Sequence, residues 1–115
     1  GHNPHAARAI AALLAGMPAR PTHLICGMLN TKDVTGYMAP LAGVAQSLHA
    51  VSIPGQAATL SASETAAAAT RAGLRAVQAD SVGAALADIV AQDPTARVLI
   101  CGSLYLAGEI LKENG

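Results

Sequence analysis

Short β-branched or apolar runs alternate with longer alanine-rich stretches along the whole chain, and this alternation narrows the possible folds more than any other feature. Strands that recur at about 24-residue intervals, with a helix in each interval, are the sequence form of βαβ units. The candidate strands are residues 23–26, 48–53, 75–78 and 97–101. The last, Arg97-Val98-Leu99-Ile100-Cys101, is a near-continuous apolar run and suits a parallel strand covered on both faces. The expected fold class is α/β, a Rossmann-like, mostly parallel open sheet flanked by helices.

Helix boundaries are written in the capping residues. Asn3 is a candidate N-cap with Pro4 at the first helical position, where a missing N–H does no harm, and the helix should run through Leu14 to end near Gly16. Ser61 and Glu64 have capping-box spacing and lead into a helix over residues 65–72, closed by Gly73. Ser81 opens a helix over residues 82–92, stopped by Asp93-Pro94. A further helix is expected over residues 104–112. A shorter one over 34–43 is made irregular by Gly36 and Pro40.

Composition removes several classes of function. Seven Lys plus Arg balance seven Asp plus Glu, which leaves no electrostatic footprint for nucleic acid. No apolar run approaches the roughly 18 residues that span a bilayer, and the first residues lack a signal-peptide layout. We therefore expect a soluble, cytoplasmic domain without membrane or nucleic-acid partners. The two cysteines, Cys26 and Cys101, form no CxxC pair, so ordinary buried thiols are expected rather than a disulfide framework or a zinc site. At 115 residues the chain is long enough to bury its own core, although with 2% aromatic residues that core must come from close-packed Ala, Leu, Val and Ile.

In open parallel sheets ligands sit beyond the carboxyl ends of the strands. That directs attention to residues 27–33, 54–56 and 102–105. No GxGxxG and no Walker A sequence occurs, so any nucleotide site in this chain is at most half a site. Gly102-Ser103 stands at a strand-to-helix junction, where free backbone N–H groups and the positive helix end favour an anion such as a carboxylate; a simple serine cap is the plainer alternative. Lys32 and Asp33 follow another strand-glycine junction, where an ammonium suits a carboxylate or a transferring phosphoryl group; a solvated loop pair is again the plainer reading. His2 and His5 flank an N-cap with no third ligand nearby, which argues against a metal. His23 and His49 lie in strands and read as structural.

Three blocks together resemble one family: Gly1-His2-Asn3-Pro4-His5-Ala6-Ala7, Gly27-Met28-Leu29-Asn30-Thr31-Lys32-Asp33, and residues 98–106 with Gly102-Ser103-Leu104-Tyr105-Leu106 at their end. In order and spacing they are similar to the C-terminal domain of folylpolyglutamate synthase/dihydrofolate synthase, in the Mur ligase superfamily. The resemblance implies an ATP-dependent ligase that adds L-glutamate to folate or dihydropteroate through an acyl phosphate. It implies that ATP and magnesium are bound chiefly by an N-terminal P-loop domain outside this chain. Residues 1–115 are then a single C-terminal domain, inactive alone, that closes over the nucleotide and binds glutamate. His2 and Lys32 are the implied catalytic residues; His2, Asn3, Lys32 and Ser103 are the implied glutamate contacts; no metal ligand or certain nucleotide contact is implied here. The family's motif begins with an Asp three residues before the histidine, a position that precedes Gly1, so the chain is expected to be a piece of a longer enzyme. The family often carries Pro-Arg after its second strand, whereas here Pro54 precedes Gly55. The alternatives are a free-standing Rossmann-like binding or interaction module, and the C-terminal domain of another Mur-type amino-acid ligase.

Overall fold

The computed structural model describes residues 4–29, 34–53 and 60–102. The elements follow in the order α1 (Pro4–Ala15), β1 (Thr22–Gly27), α2 (Val34–Met38), a 3₁₀ turn (Ala39–Leu41), β2 (Ser47–Ala50), α3 (Ala62–Arg71), β3 (Ala76–Gln78), α4 (Val82–Gln92) and β4 (Arg97–Gly102). All strand pairs are parallel, and the sheet order is β3-β2-β1-β4. This is the α/β architecture that the alternating sequence predicts.

Side-chain alternation along the strands divides the core into two layers. Leu24, Cys26, Leu48, Ala50 and Cys101 face α1, α2 and α3, where Ala7, Tyr37, Leu41, Ala68 and Ala69 complete one cluster. Ile25, Val51 and Ile53 face the opposite side and pack on Val82, Ala85 and Ile89 of α4. Alanines dominate the buried side of α3 because a helix must approach the flat sheet closely where no aromatic spacer is available.

Most helix signals act as their chemistry predicts. Ser61 Oγ accepts from the Glu64 N–H at 3.1 Å while Glu64 Oε1 accepts from the Ser61 N–H at 3.0 Å, a reciprocal capping box. The box starts α3 at Ala62, three residues earlier than the sequence reading, because the cap residue itself fixes the first turn. Ser81 Oγ accepts from the Ala84 N–H and opens α4 over the expected residues. Pro40 divides the 34–43 helix into one α-helical segment and a 3₁₀ turn. The cap at Asn3 and the helix over 104–112 lie outside the described residues.

Two strand expectations change. β2 ends at Ala50, and Val51 and Ile53 stay buried beyond it. β4 occupies an outer position among the described strands, so residues 97–100 are half-buried and only Cys101 and Gly102 are fully covered. An apolar run thus marked the sheet without marking its centre.

The strand histidines serve the fold. His23 Nδ1 and Ser47 Oγ lie 2.6 Å apart across the β1–β2 pair, and His23 Nε2 is 4.0 Å from Asp93. His49 is buried, and burial holds its imidazole below the ordinary histidine value, with the Asp88 carboxylate acting in the opposite direction and His23 reinforcing the shift. A depressed histidine pKa means that the unfolded chain takes up the proton first as pH falls. Stability is therefore fully present above about pH 6.5 and declines as the pH drops below that value toward the folded pKa. Thermal melts should show a lower midpoint at pH 5.5 than at pH 7.5, and His49→Gln should flatten that difference. A variant as pH-sensitive as the parent would contradict this assignment.

Candidate functional site

The strand order makes one crevice distinctive. From β1 the chain steps outward through β2 to β3, then returns to place β4 on the other side of β1. The point where the order reverses is therefore the β1–β4 pair, and it is at the carboxyl ends of such a pair that open α/β sheets bind ligands. Cys26 lies opposite Cys101 and Gly27 opposite Gly102, so the two strands end side by side.

α1 brings a third segment to the same end. Its 12 residues rise about 18 Å, close to the roughly 20 Å of the six-residue β1 that follows it in the opposite direction. Its last residues, Leu14 and Ala15, line a shallow groove with Thr22 and Arg97, the first residues of β1 and β4, so its first turn is directed toward the opposite, carboxyl end of the sheet.

Beneath this crevice lies a buried polar chain. The Gly102 N–H donates to Tyr37 Oη at 3.0 Å, and Tyr37, the penultimate residue of α2, is fully buried. Cys26 and Cys101 lie opposite each other across the β1–β4 pair, beside the Tyr37 hydroxyl. The neighbouring Cys101, together with burial, pushes the Cys26 thiol well above its ordinary value. Burial and the two nearby thiols raise the Tyr37 phenol as well, so both remain protonated at neutral pH. Both cysteines are buried and free, as expected.

Gly102 seals the arrangement. Its φ is +79°, and a Cβ there would stand 2.6 Å from the Gly27 carbonyl oxygen, 2.8 Å from Met28 Sδ and 2.9 Å from Cys26 Sγ. The Gly102 N–H is taken by Tyr37, so of the N–H groups at the Gly102-Ser103 junction this one is not open to an anion. Tyr37 itself was not singled out from the sequence, because its partner is 65 residues away.

His2, Asn3, Lys32 and Ser103 all lie outside the described residues. Their described sequence neighbours are Pro4 of α1, Leu29 and Val34 on either side of residues 30–33, and Gly102 of β4. Residues 54–59, with Pro54-Gly55, also lie outside. Among the described residues no group of three or more His, Cys, Asp and Glu side chains is placed to hold a metal ion, and no helix is long and apolar enough to cross a membrane. An open groove of about 620 Å³ lined by Ser47, His49, Arg75, Asp88 and Gln92 lies along β2 and β3, away from the β1–β4 switch point.

Comparison with known proteins agrees with this geometry. Residues 1–104 match the family described as Mur ligase, glutamate ligase domain. Among solved structures, the chain is similar to Mycobacterium tuberculosis folylpolyglutamate synthase complexed with ADP and AMPPCP, at 31% identity and a TM-score of 0.81, covering 100% of this chain and 28% of that one. It is similar to Escherichia coli FolC in complex with DHPP and ADP, at 25% identity and a TM-score of 0.81, covering 99% and 27%. It also resembles the bifunctional folylpolyglutamate synthase/dihydrofolate synthase of Yersinia pestis complexed with AMPPNP and Mn, at 25% identity and a TM-score of 0.77, covering 99% and 27%. The chain thus spans little more than a quarter of the length of these proteins. No curated protein matches the sequence.

Proposed function

Because the chain belongs to the Mur ligase glutamate ligase domain family, we propose that it is the C-terminal domain of an ATP-dependent ligase that joins L-glutamate to folate or dihydropteroate. In this reading a pterin-linked carboxylate is activated as an acyl phosphate and attacked by the amine of glutamate. ATP and magnesium are assigned to a P-loop domain outside this chain, in keeping with the ADP, AMPPNP and Mn of the similar structures. Among the described residues no set of side chains is placed to hold that metal. This chain's part is to hold glutamate and to close over the nucleotide.

The observation that carries the reading is the β1–β4 switch point. Gly27 and Gly102 lie opposite each other, and each leads directly into a block that resembles the family's glutamate-handling segments. Ser103 follows Gly102 and is assigned to the glutamate carboxylate. Lys32 follows β1 and is assigned to the carboxylate and the transferring phosphoryl group. His2 and Asn3, before α1, are assigned to the incoming amino acid.

Ser103→Ala in the full-length enzyme is expected to raise the KM for L-glutamate about tenfold. This corresponds to the roughly 1.5 kcal/mol of one hydrogen bond to a charged group. The KM for ATP should stay within about twofold. A variant with an unchanged glutamate KM would remove Ser103 from the site. A protein whose full chain has no P-loop domain would favour a binding module instead.

A further inference from the structure

We propose that Cys26 and Cys101 are a redox-sensitive pair that closes into a disulfide and staples β1 to β4 at their carboxyl ends. The inference stands apart from the ligase reading, because it needs only the described strands. Cys26 and Cys101 are register partners on neighbouring parallel strands. Such strands lie about 4.7–4.9 Å apart, inside the roughly 4.4–6.8 Å between Cα atoms that a disulfide spans. Both side chains stand on the same face of the sheet, since both belong to the buried cluster that contains Leu24 and Tyr37. Cys26 Sγ also reaches across to β4. It lies 2.9 Å from the place a Cβ on Gly102 would take, next in the chain to Cys101. Two free thiols placed in this way bond by rotating their side chains, with the strand register unchanged.

The two sulfurs are unlike. The neighbouring Cys26 thiol holds Cys101 below its ordinary value, against the effect of burial, whereas Cys26 itself is held well above its own. Cys101 is therefore the sulfur that reacts first and Cys26 the one that resolves it. With hydrogen peroxide as the oxidant, the Cys101 thiolate attacks one peroxide oxygen, the O–O bond breaks, and a sulfenic acid and water result. The Cys26 sulfur then attacks Cys101 Sγ, loses its proton, and expels the second water as the S–S bond forms. The two thiols give up two electrons and two protons, and the peroxide is reduced to two waters. Burial sets the pace: Cys26 is fully buried and Cys101 is 4% exposed, so the oxidant enters when the carboxyl end of β4 opens locally.

The test is exposure of the folded full-length protein to hydrogen peroxide, followed by non-reducing digestion and peptide mass spectrometry. The expected product is a linked Cys26–Cys101 peptide, lighter by two hydrogens than the sum of its reduced halves, that holds the majority of both cysteines and separates on treatment with dithiothreitol. Cys26→Ala should abolish that peptide and leave Cys101 as a sulfenic acid that dimedone traps. Recovery of both cysteines as free thiols from the peroxide-treated folded protein would overturn the inference. Oxidation of Cys101 to sulfinic acid beside an unreacted Cys26 would overturn it as well, as would a linked peptide that appears only when the protein is oxidised in urea.

Discussion

Gly102→Ala is expected to lower the thermal midpoint of this domain by more than about 10 °C. Two costs combine at that position. A side chain with φ near +79° pays the left-handed penalty of about 1–2 kcal/mol. The added Cβ also meets three atoms inside 3.0 Å, the nearest being the Gly27 carbonyl oxygen at 2.6 Å, and overpacking of this kind costs roughly 1–3 kcal/mol. The Met28 and Cys26 sulfur atoms belong to buried side chains, and the carbonyl belongs to the paired strand, so relief requires β1 and β4 to separate. A combined loss of about 3 kcal/mol is a large share of the roughly 5–15 kcal/mol that holds an ordinary domain together. At about 4 °C or more per kcal/mol for a domain near this size, it gives the stated shift. Gly43→Ala is the internal control, since a Cβ there meets nothing within 4 Å, and its melting temperature should stay within about 3 °C of the parent. Circular-dichroism melts of both variants decide the matter, and a Gly102→Ala midpoint within 3 °C of the parent would refute the close-approach argument.

That position also shows how far the sequence could be read. Capping signals are local, so Ser61 with Glu64 and Ser81 before Val82 announced α3 and α4, and only the first residue of α3 was misjudged. Strand existence was equally legible from β-branched runs. Strand rank was not: nothing within residues 97–101 tells that β4 lies at an outer position among the described strands, because rank is set by which strand it pairs with. Gly102 was marked as a small residue at a junction, but its reason for being glycine lies on β1, 75 residues earlier, at Gly27. The Tyr37 acceptor for its N–H lies on α2, 65 residues earlier. The buried thiols were expected singly from their lack of a motif, and the register that sets Cys26 against Cys101 emerged only with the sheet. Sequence thus located the crevice through the strand-end segments. The contacts that make its floor rigid required the three-dimensional pairing.

The proposed chemistry places its heaviest demand on Lys32, and Lys32→Ala in the full-length enzyme is expected to reduce kcat by about 10²–10³-fold. A cation aimed at charge that develops on a carboxylate and a moving phosphoryl group stabilises the transition state more than the bound substrates, so its loss falls on kcat. Removing one such preorganised group commonly costs a factor of this size. Lys32 sits in the short 30–33 connection between Leu29, just beyond the end of β1, and Val34, the first residue of α2. Both flanking residues belong to the packed interior: Leu29 is half-buried against the Ile25, Val51 and Val82 cluster, and Val34 is buried. Lys32→Arg should recover little of the loss, because a planar guanidinium differs in reach and shape from a compact ammonium. The measurement is product formation from L-glutamate under saturating ATP, with the ATP KM as a control for the nucleotide side. A Lys32→Ala enzyme that kept kcat within threefold of the parent would show that the phosphoryl group is stabilised from the other domain alone, and would confine this chain to binding glutamate.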